Sequence, residues 1–459
     1  MTGKTVRNDF SRGSIPAVVM RMALPLIAAQ LVNVLYNVVD RIYIGHIPGI
    51  GSMALTGVGI ALPVISILSA FAGLFGQGGA PLCSMARGRG DGDEASRVMG
   101  NAFSMLLVSS VALGLLTWAF LDPVVEVFGA GEEASGYARE YLAVYLIGTT
   151  FSFVSLGMNV YINAQGFATR GMLTVLLGAV SNIVLDPIFI YVLNLGLTGA
   201  GIATAVASTA SAALGLWWYA RGRLYLTMSF DDMRPRMADL KEILYVGIPR
   251  GTESMLISVM SLVQRIFVIA CGGTSAAMFY NIPWRFVSLT EVISQAVGSA
   301  LIPVCSANLG RGDFAKAEQG YRYSYTVTMV VMIAIAAVIF VFADWIIIPF
   351  TYSESMAALR PEFVHVLRIY ALLIPFMGLI DIGSSILQSL RMAQISMFSS
   401  FARNILIVVL LFFASSVSLD AIYWSLVASE VFGGALMVWL ARSGLKHYRR
   451  GRERPDPAS

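Results

Sequence analysis

Charge is what this sequence has least of. Only 13% of its 459 residues are Asp, Glu, Lys or Arg, about half the share a soluble domain carries. With 57% hydrophobic residues and a mean hydropathy of +0.74, a cytosolic enzyme, a disordered scaffold and a nucleic-acid binder are excluded. Cysteine is scarce too: Cys83, Cys271 and Cys305 offer neither a paired disulfide framework nor a CxxC metal spacing. His46, His365 and His447 are too scattered for a zinc site. No phosphate-binding loop is present, since Gly3-Lys4-Thr5 lies too near the N-terminus to have the required upstream glycine and strand. No metal or nucleophile constellation marks an enzyme, and no cofactor is expected.

What remains is apolar sequence in long runs. A helix crosses the hydrocarbon core with about 20 largely apolar residues, and twelve such stretches are present. They run roughly over 16–44, 54–82, 97–121, 137–165, 171–193, 197–220, 243–271, 275–307, 320–348, 362–389, 394–416 and 420–442. Strand-type alternation is missing, so the expected fold is an all-α polytopic membrane protein. The first stretch is long and carries Asp40, unlike a cleaved leader.

Basic residues orient the spans. One set of flanks holds Lys4, Arg7, Arg12, Arg87, Arg89, Arg97, Arg170, Arg221, Arg223, Arg234, Arg236, Lys241, Arg311, Lys316, Arg322 and Arg391, and the tail adds Arg442 through Arg454. The opposite loops hold Arg139 and Arg360 among acids. Both termini are therefore expected in the cytoplasm of a multi-pass cell-membrane protein. The basic tail reads as an anchor lying on anionic lipid.

The chain is a duplication. PLCSMARGRGDGDEA (81–95) aligns without gaps on PVCSANLGRGDFAKA (303–317), with eight of the fifteen positions identical. Near the same offset Pro25 meets Pro249, Arg41-Ile42 meets Arg265-Ile266, Gln165 meets Gln388, and Asn182-Ile183 meets Asn404-Ile405. The expected organisation is a six-helix lobe over 1–221, a cytoplasmic linker over 222–242, a second lobe over 243–442 and a basic tail over 443–459. Six is even, so the two lobes form a parallel repeat, an arrangement of transporters that rock around a midplane site. Without a nucleotide motif, the energy source is an ion gradient. The paired Arg-Gly-Asp triplets at 89–91 and 311–313 read as tight turns between helices.

Polar groups inside spans are functional candidates because hydrocarbon penalises them. Gln30, Asn33, Asn37 and Asp40 recur at spacings of three and four, on one face of the first span. Asn182 and Asp186 are i,i+4 neighbours ahead of Pro187, and Thr204 adds a hydroxyl. Their carboxylate, amide and hydroxyl oxygens suit either a proton or a sodium ion. The second half carries Glu253, Glu291 and Asp381, which Arg265, Arg285, Arg368 and Arg403 can neutralise as ion pairs. Tyr36, Met158 and Trp284 can line an adaptable substrate pocket or simply pack.

The segment LVNVLYNVVDRIYIGHIPGIGSMALTGVGIALPV (31–64) resembles the opening of multidrug and toxic compound extrusion (MATE) transporters. NIVLDPIFIY (182–191) and GLTGAGIATAVAS (196–208) are similar to that family's fifth and sixth spans. The resemblance covers the whole chain. It implies export of small amphipathic compounds, organic cations among them, in exchange for protons or sodium. It also implies a first-lobe ion site at Asp40, Asn182, Asp186 and Thr204. Another branch of the family uses a span-seven glutamate and a span-ten aspartate, which map onto Glu253 and Asp381. Arg41 stands where many members carry a small or hydroxyl residue. Asn33, Tyr36, Asn37, Met158 and Trp284 are the candidate substrate contacts, and one chain is expected to act as a monomer within the lipid bilayer. The second reading is a flippase for a lipid-linked precursor, whose relatives carry more cations in the cavity and often extra spans.

Overall fold

A computed structural model of the protein describes residue 10 and residues 13–128, 132–351 and 354–453. Lys4, Arg7, Arg12, Arg454 and the Gly3-Lys4-Thr5 fragment lie outside the described residues. Among the described residues there is no strand, and twelve helices are long and apolar enough to cross a membrane.

The helices are α1 (Ile15–Gly45), α2 (Gly51–Arg89), α3 (Gly92–Ala119), α4 (Leu121–Phe128), α5 (Glu132–Ala164), α6 (Ala168–Pro187) and α7 (Gly196–Ala220). They continue with α8 (Met237–Arg311), α9 (Phe314–Val341), α10 (Ala343–Ile347), α11 (Glu354–Ala357), α12 (Arg360–Ala371), α13 (Ile374–Ser389), α14 (Ala393–Ala414) and α15 (Leu419–Glu453). The long α8 is two membrane helices, Met237–Gly273 and Ala276–Arg311, parted at Gly273, whose φ of 73° no helix contains. The short α4, α10 and α11 join longer neighbours, and α12 with α13 makes one interrupted span.

Two compact units divide the chain: Arg21–Gly251 form the body of one, and Ser14–Met20 with the residues from Thr252 onward form the other. The start of α8 thus packs on the first unit. A Cβ on Gly247 would lie 2.2 Å from the Leu74 carbonyl oxygen, and one on Gly78 would lie 2.3 Å from that of Ile243. Only glycine lets these backbones approach so closely. Lipid tails are as apolar as leucine, so association in the bilayer rests on such close packing and on interhelical hydrogen bonds. Outward apolar groups follow the same logic: Leu24, Leu31, Leu35, Val38 and Ile42 are exposed along one stripe of α1.

The segment after α7 is tied to the first unit by buried amides. Gln165, fully buried, accepts from the Leu226 N–H at 2.8 Å. Asn101, equally buried, accepts from the Arg236 N–H at 2.6 Å and donates to the Asp232 carbonyl at 3.2 Å. Ser104 donates to the Met233 carbonyl at 2.5 Å.

The two Arg-Gly-Asp triplets are helix stops and starts. Gly90 and Gly312 take φ of 86° and 83°, the left-handed conformation that ends a helix and suits glycine. Asp91 and Asp313 then cap α3 and α9, accepting from the N–H groups of Glu94 (2.8 Å) and Lys316 (3.1 Å). The Lys316 ammonium, 2.9 Å away, also holds the Asp313 carboxyl below the usual carboxylate range. Because the folded value is depressed, this contribution is complete above the ordinary carboxylate range and is lost as pH falls through the depressed value. Asp313→Ala is expected to cost about 1 kcal/mol, and Asp313→Asn much less. Thermal unfolding of the purified protein at neutral pH checks this, and equal melting of Asp313→Ala and wild type would contradict it.

Candidate functional site

In the first unit the four residues mapped from α1, α6 and α7 come together. The i,i+4 spacing places Asn182 and Asp186 on one face of α6, and the Asn182 amide donates to Asp186 Oδ1 at 3.2 Å. The same amide reaches Thr204 Oγ1 of α7 at 3.4 Å, while the Thr204 hydroxyl donates to the Ala200 carbonyl at 3.0 Å. The Asp40 side chain of α1 lies within hydrogen-bonding reach of Asp186. Asp186 is 0% exposed and Asn182 2%.

Three oxygens of this cluster have no partner. Asp40 Oδ1, Asn182 Oδ1 and Asp186 Oδ2 are buried without a hydrogen bond. A buried polar atom without a partner costs roughly 1–3 kcal/mol, and two bare carboxylates side by side add repulsion. A small cation among the oxygens relieves both penalties, and a proton on one carboxyl relieves the repulsion and supplies one of the missing hydrogen bonds. The donors are all hard oxygens, the type a sodium ion prefers over sulfur or imidazole. These residues therefore fit either ion.

The end of α6 contributes shape. Pro187 removes a backbone donor, and the chain continues as a π-type turn over Ile188–Val192 rather than as ideal helix. Tyr191 in that turn donates to the Tyr43 carbonyl at 2.6 Å, so the turn is fastened to α1 one helical turn beyond Asp40. Tyr141 of α5, 4% exposed, has its hydroxyl within hydrogen-bonding reach of Thr204 and close to Asp40. Tyr141 does not stand out in the sequence, because Tyr145, Thr149, Asn159, Tyr161 and Asn163 share its span and no spacing singles it out.

Among the candidate substrate residues, Asn33, Tyr36 and Asn37 lie on α1 within two turns of Asp40, and Asn37 donates to the Asn33 carbonyl at 2.7 Å. Met158 is 2% exposed on α5. Trp284 belongs to the second unit, where it stacks on Tyr280 with ring centroids 6.0 Å apart and meets Tyr370 edge-on.

The second unit's acids each find polar company. Ser396 Oγ lies 2.7 Å from Glu253 Oε1 and 2.8 Å from Ser384 Oγ. One hydroxyl donates once, so Ser396 donates to the carboxylate and accepts from Ser384. Ser294 donates to Asp381, and Gln295 donates to Glu291 at 3.1 Å. Arg403 of α14 pairs with Glu430 of α15 at 2.7 Å, both side chains largely buried, and Glu253 and Glu291 also lie within electrostatic range of Arg403. Glu430 does not figure among the sequence candidates, although it is an acid inside the last apolar span.

The MatE family profile matches the chain twice, over residues 25–188 and 249–413. Known proteins similar to it include the multidrug export protein MepA of Staphylococcus haemolyticus, 24% identical over 435 residues that make up 95% of each chain. The protein of the same name from Staphylococcus aureus is 25% identical over 444 residues, covering 95% of this chain and 96% of its own. Among solved structures, the outward-facing conformation of a multidrug resistance MATE family transporter matches with a TM-score of 0.90 at 25% identity, over 98% of this chain and 100% of its own. A MATE protein in the straight conformation matches with a TM-score of 0.91 at 24% identity, over 98% and 100%. This chain belongs to the MatE family: it is a multi-pass membrane transporter of the multidrug and toxic compound extrusion class and not an enzyme. The lipid-linked precursor flippase gains no support from these relatives.

Proposed function

We propose that the protein exports small amphipathic cations in exchange for protons or sodium ions bound among Asp40, Asn182, Asp186 and Thr204. The observation that carries this reading is the trio of partnerless buried oxygens on Asp40, Asn182 and Asp186. Asn182 orients Asp186 through its amide, Thr204 supplies a further oxygen beside it, and Tyr141 closes the side toward α5. The names of the staphylococcal relatives support a drug substrate.

Exchange follows from competition. A ligand moves a conformational equilibrium only through its different affinities for the two states. An ion loading the carboxylates removes the negative charge that draws a cationic substrate toward Asn33, Tyr36 and Asn37 on the same helix, so ion and substrate favour opposite states. Apolar walls add non-directional affinity, which gives chemical breadth. The basic flanks orient the transporter with both termini in the cytoplasm, and each chain acts as a monomer.

The test is dye efflux from proteoliposomes with a pH gradient or a sodium gradient imposed separately. An ethidium-like dye is expected to move under one of them and not under added ATP alone. Movement driven by ATP with neither gradient would overturn the proposal, as would movement of a labelled lipid-linked sugar with no movement of dye.

A further inference from the structure

Several basic residues near the helix ends of this protein stand beside an acid. Arg89 pairs with Glu94 at 2.6 Å, Lys316 with Asp313 at 2.9 Å and Arg322 with Glu318 at 2.7 Å. One group does not. Arg170 in the first turn of α6 and Arg221 and Arg223 just past α7 have no carboxylate of the described residues within ion-pair distance. Since α6 begins where α7 ends, all three lie at one end of the helical hairpin.

Two of these side chains, Arg170 and Arg223, are held rather than loose. The Arg170 guanidinium lies 4.5 Å from the Phe167 ring centroid and 6.0 Å from that of Trp218, and it donates to the Arg223 carbonyl. The Arg223 guanidinium stands 4.9 Å from the Trp217 ring centroid. The two guanidinium groups are close enough to repel one another, so the arrangement pays for its order without an internal anion. Trp217 is 41% exposed at the very end of the membrane helix, the level at which tryptophan sits among lipid headgroups. Arg221 is exposed.

We propose that Arg170, Arg221 and Arg223, with Trp217 beside them, form a headgroup site for an anionic phospholipid. The planar forks of Arg170 and Arg223 match the oxygens of a phosphodiester, and guanidinium stacked on aromatic faces is pre-organised for that contact. The net negative charge of the lipid cancels the repulsion between the arginines, which a zwitterionic headgroup does not do. Trp217 packs on the glycerol and upper acyl region.

The experiment uses the full chain reconstituted in phosphatidylcholine vesicles containing phosphatidylglycerol, then released for native mass spectrometry to read the retained lipid. Wild type is expected to keep one phosphatidylglycerol in preference to phosphatidylcholine. The Arg170→Ala/Arg223→Ala variant is expected to hold it roughly 30-fold more weakly, at about 1 kcal/mol per arginine near the surface. Arg221→Glu, which alters an exposed side chain without a hydrogen bond, weakens retention too and covers the case in which the double variant fails to fold. Arg234→Ala, on an 81% exposed side chain elsewhere, leaves it unchanged. Equal retention in Arg221→Glu and wild type, or equal retention of both lipids, overturns the proposal. Displacement of the lipid by inorganic phosphate at equal concentration also overturns it, since the site would then belong to a free anion.

Discussion

Asp40→Asn is expected to lower gradient-driven export by about 100-fold, toward the upper end of typical coupling free energies, while the protein reaches the membrane in normal amount. The substitution keeps the size of the side chain and its ability to hydrogen-bond, so packing on α6 persists. What goes is the charge that holds an ion against Asp186. With one carboxylate left, ion loading no longer discriminates between conformations, and a ligand without differential affinity shifts nothing. Asp186→Asn is expected to match it, because in the proposed exchange its 0% exposed carboxyl shares the same ion. Dye efflux from proteoliposomes at matched protein content is the measurement. Normal export by Asp40→Asn would move the coupling site to Glu253 and Asp381 in the second unit.

Removing Arg403 is expected to have the largest effect on stability. Its guanidinium sits 2.7 Å from Glu430, with side chains only 19% and 11% exposed. Truncating one partner of a buried pair strands the other, at a cost of about 3–5 kcal/mol. Arg403→Ala would strand Glu430 and also leave Glu253 and Glu291 without that nearby positive charge. Replacing the pair together, Arg403→Met with Glu430→Leu, removes both charges from the low-dielectric interior and is expected to recover most of the loss. Thermal unfolding of the three variants in detergent micelles checks the order. A double variant as unstable as Arg403→Ala would show that the arginine's role lies with Glu253 and Glu291 rather than with Glu430.

Much of this architecture was legible because the bilayer imposes simple rules. Length and hydropathy mark a membrane helix without knowledge of its neighbours, and twelve stretches became twelve helices. The duplication was readable from Pro81-Leu82-Cys83-Ser84 and its copy, and the Arg-Gly-Asp triplets from their turn chemistry. Asn182 and Asp186 were placed together by local spacing alone. What spacing does not carry is contact between distant elements. Glu430 meets Arg403 across two helices 27 positions apart, and Tyr141 reaches Thr204 from a different span, so neither stood out. Gln165 stood out only as the repeat counterpart of Gln388, with no sign that it accepts the Leu226 N–H 61 positions away. The π-type turn after Pro187 was not legible either, since proline states that a bond is missing and not how the chain recovers it.

The proposed exchange of substrate for ion runs through the cluster around Asp40 and Asp186. Its most direct test reverses the flow: vesicles are loaded with a cationic dye, no ion gradient is imposed, and internal pH and sodium are followed as the dye leaves. The account predicts that dye efflux drives one of the two ions inward in wild type, and that Asp40→Asn shows no such movement. Dye leaving wild-type vesicles with no countermovement of either ion, or the same ion movement in Asp40→Asn, would contradict it.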